Sequence, residues 1–192
     1  VLQDAARKCF VSRFFLIIIL SDLLRRGGWM EIRDAGEGDL AKITVIYNEI
    51  LQTSTAIFSN KPASVEERRE WWTGRVEQGY PVVVAVVEGV VAGFATYGPF
   101  RSWPGYRFTV EHTVHVDAGF RGRGLGAALL RELMERARGA GKHVMVGGID
   151  AANEGSLRFH DRMGFERVAH MKEVGFKFDR FLDLVLVQRR VD

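Results

Sequence analysis

A strand, a glycine loop and a helix follow one another between Thr109 and Arg136, and this run constrains the fold most. TVEHTVHV, Thr109 to Val116, alternates with the two-residue period of a strand. RGRGLGAALLRELMER, Arg121 to Arg136, sets Gly122, Gly124 and Gly126 at its front. Leu129, Leu130, Leu133, Met134 and then Ala137 fall at helical spacing behind them. The first turn of a helix has backbone N–H groups without intrahelical partners and the positive end of the dipole. Glycines there let a ligand approach bare backbone. The pattern predicts a seat for a phosphate or pyrophosphate. The alternative is an ordinary glycine turn before a surface helix.

The rest of the chain falls around this run as one α/β domain. A short strand, Glu31 to Ala35, leads to a helix with Leu40, Ile43, Ile46, Tyr47, Ile50 and Leu51 on one face. Ser64 and Glu67 form a capping-box pattern that opens a second helix, which Gly79 and Pro81 close. VVVAVVEG and VVAGFATYG then read as a hairpin turning at Glu88-Gly89, apolar enough to be buried on both faces. After the glycine helix come a strand (His143 to Ile149), a short helix (Asn153 to Met163) and two strands beginning at Phe165 and Phe181. This order predicts a mixed sheet with helices packed on it.

Residues 1–29 differ in character from the remainder of the chain. They hold five Lys/Arg and two acidic residues, which accounts for the whole +3 net charge. The balanced remainder carries no electrostatic footprint for nucleic acid. The apolar run Phe14 to Leu20 is too short to span a bilayer, so no stable membrane insertion is expected. The segment reads as a weak anchor, a packing helix, or translated upstream sequence before a start at Met30. The last is preferred, giving an extension at 1–29 and a domain at 30–192. Cys9 is the only cysteine, so an intrachain disulfide and a cysteine zinc set are excluded. None of the five histidines has metal-ligand spacing, and no metal is expected.

Arg121-x-x-Gly124-x-Gly126 forms one signature, and Asn153, Ser156, His160 and Gly164-Phe165 form another behind it. The first resembles the pyrophosphate loop of the GNAT acetyltransferases, and the second resembles that family's second motif. YNEILQTSTAIF, FRSWPGYRFTVEHTVHV, GKHVMVGGID and VGFKFDRFLDL are similar to stretches of the phosphinothricin and methionine sulfoximine N-acetyltransferases. The resemblance covers nearly all of Met30 to Val191. It implies an α/β fold (an α+β mixed sheet of about seven strands flanked by about four helices), acetyl-CoA as donor, a small amino-acid-like amine as acceptor, a homodimer and a cytoplasmic enzyme. One departure lies near the end. Asp179 and Phe181 stand where that subfamily usually has glycine and tryptophan, which bears on the local loop shape.

Within that resemblance the residues take roles. Backbone of Gly122, Arg123, Gly124, Leu125, Gly126 and Ala127 would hold the pyrophosphate, with Arg121 and Arg123 for charge. Backbone of Val114, His115 and Val116 would pair with pantetheine amides as an added strand does. Asn153, with Ser156, would meet the same arm, although Asn153 also fits a helix N-cap. Glu111 is the candidate base that frees the amine, or else a solvent-facing strand residue. His160 is the candidate proton donor to the leaving thiolate, or else a structural histidine. For the acceptor, Arg101, Ser102, Trp103, Pro104, Tyr106 and Arg107 supply an aromatic, basic loop, with His112 and Thr113 beside Glu111. The resemblance implies that Lys177 reaches in from the partner subunit. The loop reads equally as an exposed hairpin tip or a dimer contact.

Three rivals stay open. Gly122-x-Gly124-x-x-Ala127 with Asp150 fits a relaxed nicotinamide fingerprint, although VDAGFR separates it from its strand. A non-catalytic acetyl-CoA or amino-acid sensor and a peptide acetyltransferase are the others.

Overall fold

The computed structural model describes residues 30–192. The readings made for residues 1–29, Cys9 included, lie outside the described residues. Seven strands and four helices run in the order β1 (Met30–Asp34), α1 (Leu40–Thr53), α2 (Val65–Glu77), β2 (Val82–Val87), β3 (Val90–Pro99), β4 (Thr109–Val116), α3 (Leu125–Gly139), β5 (Val144–Asp150), α4 (Glu154–Arg162), β6 (Glu166–Lys177) and β7 (Arg180–Arg190). They form one sheet ordered β1-β2-β3-β4-β5-β7-β6. Every neighbouring pair is antiparallel except β4 and β5, which run parallel. The expected mixed sheet is therefore present.

β2 and the body of β3 are buried from both sides. Val83, Ala85 and Val87 of β2 face α3 and α4, whose Leu129, Leu130, Leu133 and Leu157 fill that core. Val82, Val84 and Val86 point the other way, against Ile43, Ile46 and Ile50 of α1. Alternate residues of one strand thus serve two cores, which explains why β2 and β3 show no polar alternation. The β2–β3 turn uses Glu88 and Gly89, both with positive φ (52° and 79°), as a tight two-residue hairpin requires. The capping box at α2 forms as its spacing predicts. Glu67 N–H donates to Ser64 Oγ at 3.1 Å, and Ser64 N–H donates to Glu67 Oε2 at 2.7 Å.

The β6–β7 hairpin turns at Phe178-Asp179, with φ of 51° and 56°. Asp179 therefore occupies a left-handed position that suits glycine better, though aspartate tolerates it more readily than most residues. The lysine before the turn corrects a sequence expectation. Lys177 does not project into a pocket: it is 0% exposed. Its Nζ donates to the carbonyls of Leu51 (2.6 Å), Ser54 (2.7 Å) and Ile57 (2.7 Å). An ammonium has three N–H donors, and all three are used. Burial lowers its pKa, while the carbonyls and the negative end of the α1 dipole favour the charge. Replacement by Lys177→Met leaves these carbonyls without their donor, a loss of about 3 kcal/mol. We expect a clearly lower urea midpoint for this variant; an unchanged midpoint would show that the ammonium is not held there.

Candidate active site

β4 and β5 pair only over Thr109–Glu111 and Val144–Val146. Beyond Glu111, β4 stays bonded to β3 as far as Gly93–Val116, and β5 stays bonded to β7 as far as Asp150–Leu184. The two strands therefore diverge while each remains held on its outer side. The gap is a cleft of about 430 Å³. Its walls are His112 to Val116 of β4, Gly148 to Asp150 of β5, Gly126 of α3, and Asn153, Ser156, Phe159 and His160 of α4. Ile50 and Ser54 close it from the end of α1.

At the mouth, Gly124 caps α3 in the left-handed region (φ 81°), with no side-chain cap and no acid in the first turn. Gly122 also has positive φ (77°), so a side chain at either position would be strained. α2 and α4 are built differently. Ser64 and Asn153 cap them, and Glu66, Glu67 and Glu154 occupy their first turns. Asn153 is thus an N-cap, its Oδ1 accepting from Ser156 N–H at 3.0 Å, and it lines the cleft as well. Arg121 Nε donates to Val116 O at 3.3 Å, and Arg123 lies 5.3 Å over the Phe120 ring. Leu125 buries its side chain, leaving only its backbone for the loop. An open strand edge leading to an uncapped, acid-free helix start fits an extended, amide-bearing coenzyme that ends in a pyrophosphate.

Gly147 and Gly148 make room at the apex. A Cβ on Gly147 would stand 2.7 Å from His112 Nε2, and one on Gly148 would stand 3.4 Å from Glu111 Oε1. His112 and Glu111, adjacent on β4, thus flank β5 from opposite faces. Burial raises the pKa of half-buried Glu111, and the charge of Arg101 opposes that rise. His112 stacks on His160, with ring centres 5.1 Å apart. Burial drives His112 down to about 3, with the His160 and His115 charges adding to it. Burial likewise takes His115 to about 4, and it lowers His160. His160 Nδ1 lies 2.7 Å from Ser156 O. A carbonyl only accepts, so the proton is on Nδ1 and the neutral ring presents a bare Nε2. Among the described residues that Nε2, like both nitrogens of His112, is buried without a partner.

The acceptor loop is only partly as expected. Ser102, Trp103, Pro104, Tyr106 and Arg107 are exposed, Trp103 by 74%. Pro104–Tyr106 forms a short 3-10 turn, and Tyr106 packs edge-on against Phe100 at 5.8 Å. Arg107 turns away to Pro104 O (3.4 Å) and the Phe108 ring (4.3 Å). Of the expected set, Arg101 brings its charge to Glu111, and His112 and Thr113 line the cleft. Sequence reading missed Arg75 on α2, whose guanidinium fills the space left by the missing side chain of Gly98. Gly98 is the register partner of Glu111. No local signal marks Arg75, since it looks like any charge on an exposed helix face.

The nicotinamide rival needs Asp150 free for a ribose hydroxyl. Asp150 is instead buried and accepts from the Thr55 hydroxyl and from Ala152 N–H at 3.1 Å. Among the described residues no group of three His, Cys, Asp or Glu is arranged to hold a metal ion. No described helix is long and apolar enough to cross a membrane.

Comparison with known proteins agrees with this geometry. The model of the acetyltransferase (GNAT) family matches residues 43–165. An L-methionine sulfoximine/L-methionine sulfone acetyltransferase of Salmonella typhimurium is 44% identical over 163 residues, 85% of this chain and 95% of the relative. A phosphinothricin N-acetyltransferase of Streptomyces coelicolor is 36% identical over 163 residues, 83% of this chain and 95% of the relative. The solved structure of yncA from Salmonella typhimurium with its cofactor acetyl-CoA superposes with a TM-score of 0.82 at 44% identity. That match covers 85% of this chain and 94% of the other.

The buried imidazoles predict a stability profile. In the unfolded chain they take up protons below about pH 6.5. In the fold His112 refuses a proton down to about 3, and His115 to about 4. Their contribution is complete above pH 6.5 and is lost as pH falls through that window. Each removes about 1 kcal/mol between pH 7 and 5.5. Urea midpoints should fall over this range, and less steeply in His112→Leu. A flat profile would mean that the rings charge inside the fold.

Proposed function

The chain belongs to the GNAT acetyltransferase family, and on that premise we propose that it moves the acetyl group of acetyl-CoA to the α-amine of methionine sulfoximine, methionine sulfone or phosphinothricin. Glu111, a half-buried carboxylate where β4 and β5 part, carries the reading. The similarity to the methionine sulfoximine/sulfone enzyme exceeds that to the phosphinothricin enzyme, so the first two acceptors are favoured. Residues 30–192 are taken to carry the whole activity.

The backbone of Gly122 to Ala127 would hold the pyrophosphate of acetyl-CoA, with Arg121 and Arg123 beside it. Val114 to Val116 would bond the pantetheine amides from one wall of the cleft, and Asn153 and Ser156 would meet them from the other. The bound coenzyme supplies an activated acyl group on a thiolate leaving group. The chain supplies the proton handling. An acceptor ammonium must lose two protons for each amide formed. Glu111 takes the first and passes it to solvent. Burial, by raising its pKa, brings it closer to that of the amine and makes it a better base. His160 takes the second at its bare Nε2 as nitrogen is acylated, then returns it to the departing sulfur. The Ser156 carbonyl holds Nδ1–H throughout and supports the transient charge. Trp103, Tyr106 and Phe108, exposed at the β3–β4 tip, suit burial against a second copy, so a cytoplasmic homodimer is part of the reading.

Thiol release from acetyl-CoA tests the assignment directly. We expect turnover with methionine sulfoximine and methionine sulfone, weaker turnover with phosphinothricin, and little with common amino acids. Folded protein that releases no thiol with any of them would overturn it. In Glu111→Gln we expect kcat/KM to fall by about 10²–10⁴. The wild type should lose activity as pH falls through the raised Glu111 pKa, because the protonated acid accepts nothing, and the variant should lack that limb. Full activity in the variant across pH would remove Glu111 from its role.

A further inference from the structure

Gly98 and Glu111 face each other across β3 and β4. Directly opposed residues project to the same face of a sheet, with Cβ positions about 4.5–5.5 Å apart. At Gly98 that position is taken by the guanidinium of Arg75, onto which an added Cβ would fall. A cation is therefore seated at the register position opposite the proposed base, in a notch that only glycine leaves open.

This guanidinium is under-employed. It is part-buried, and its one hydrogen bond among the described residues goes to Tyr97 O at 3.3 Å. The Tyr80 ring is 5.9 Å away. No described carboxylate lies within 4 Å of it, whereas Arg33 has Asp39 and Arg136 has both Asp34 and Glu132. Arg68, the other part-buried arginine of α2, is covered by the faces of Tyr47 (3.9 Å) and Trp71 (4.9 Å). Arg75 has only the more distant Tyr80 ring, and burial pulls its pKa down with Tyr80 alone opposing the shift. A guanidinium has five N–H donors in a planar fork that matches a carboxylate.

We propose that Arg75 binds the α-carboxylate of the acceptor, with Gly98 as the notch that admits its guanidinium. The inference rests on the reading above and completes it. In an α-amino acid the carboxylate and the amine hang from one carbon. Anchoring the first beside Gly98 delivers the second to neighbouring Glu111. Arg101, whose charge reaches Glu111 separately, is then free for the sulfone or sulfoximine oxygens.

The test compares methionine sulfone with its carboxylate-free counterpart, 3-methylsulfonylpropylamine. Loss of a charge-assisted hydrogen-bond pair corresponds to roughly 10- to 150-fold. In Arg75→Gln we expect kcat/KM for methionine sulfone to fall by that factor, mainly through KM. The value for the amine and the KM for acetyl-CoA should stay within about threefold. Arg75→Lys, which keeps the charge without the fork, should lose less, and it serves if Arg75→Gln does not fold. Equal losses on both acceptors would mean a structural role only, and unchanged kinetics would mean no role; either overturns the assignment. Wild-type protein inactive with both acceptors overturns the functional reading, and this assignment falls with it.

Discussion

The site depends on unpaired backbone. β4 and β5 cease to bond after Glu111, yet neither strand is loose, because β3 and β7 hold them from outside. Buried amides and carbonyls without partners are unfavourable, so an open edge between two fixed strands persists only where water or a ligand can satisfy it. Gly147 keeps the apex open, since a side chain there would press on His112, while one on Gly148 would come into contact with Leu184 and Glu111. The floor of the cleft is thus bounded by strands that are each paired on their outer side.

Charge divides the two sides of that apex. On the α3–α4 side are neutral imidazoles, His112 and His160, stacked and desolvated. On the other side Arg75 lies over Gly98, the register partner of Glu111, and the charge of Arg101 reaches Glu111. A neutral wall suits a thioester and a proton carrier, and a cationic one suits an anionic amino acid. Glu111 projects to the cationic side, at the point where β4 and β5 part.

Much of this was legible in the sequence because its causes are local. The alternation of Thr109 to Val116, the glycines before the α3 helical stripe and the Ser64–Glu67 box each act within a few residues. What was illegible depends on pairs far apart in the chain. Arg75 gains its meaning from Gly98, 23 positions on, and from the register that sets Gly98 opposite Glu111. Lys177 finds its carbonyls 120 to 126 positions earlier. The insertion of β7 between β5 and β6 is of the same kind. The motif named His160, but which nitrogen carries its proton is decided by Ser156 O, a fact of helix geometry.

The Lys177 ammonium gathers three carbonyls from the end of α1 and the loop after it, and the Thr55 hydroxyl fastens the same loop to Asp150. That stretch, which closes the cleft beside Ile50 and Ser54, is latched to two separate strands. It cannot swing aside as a door without breaking both latches together.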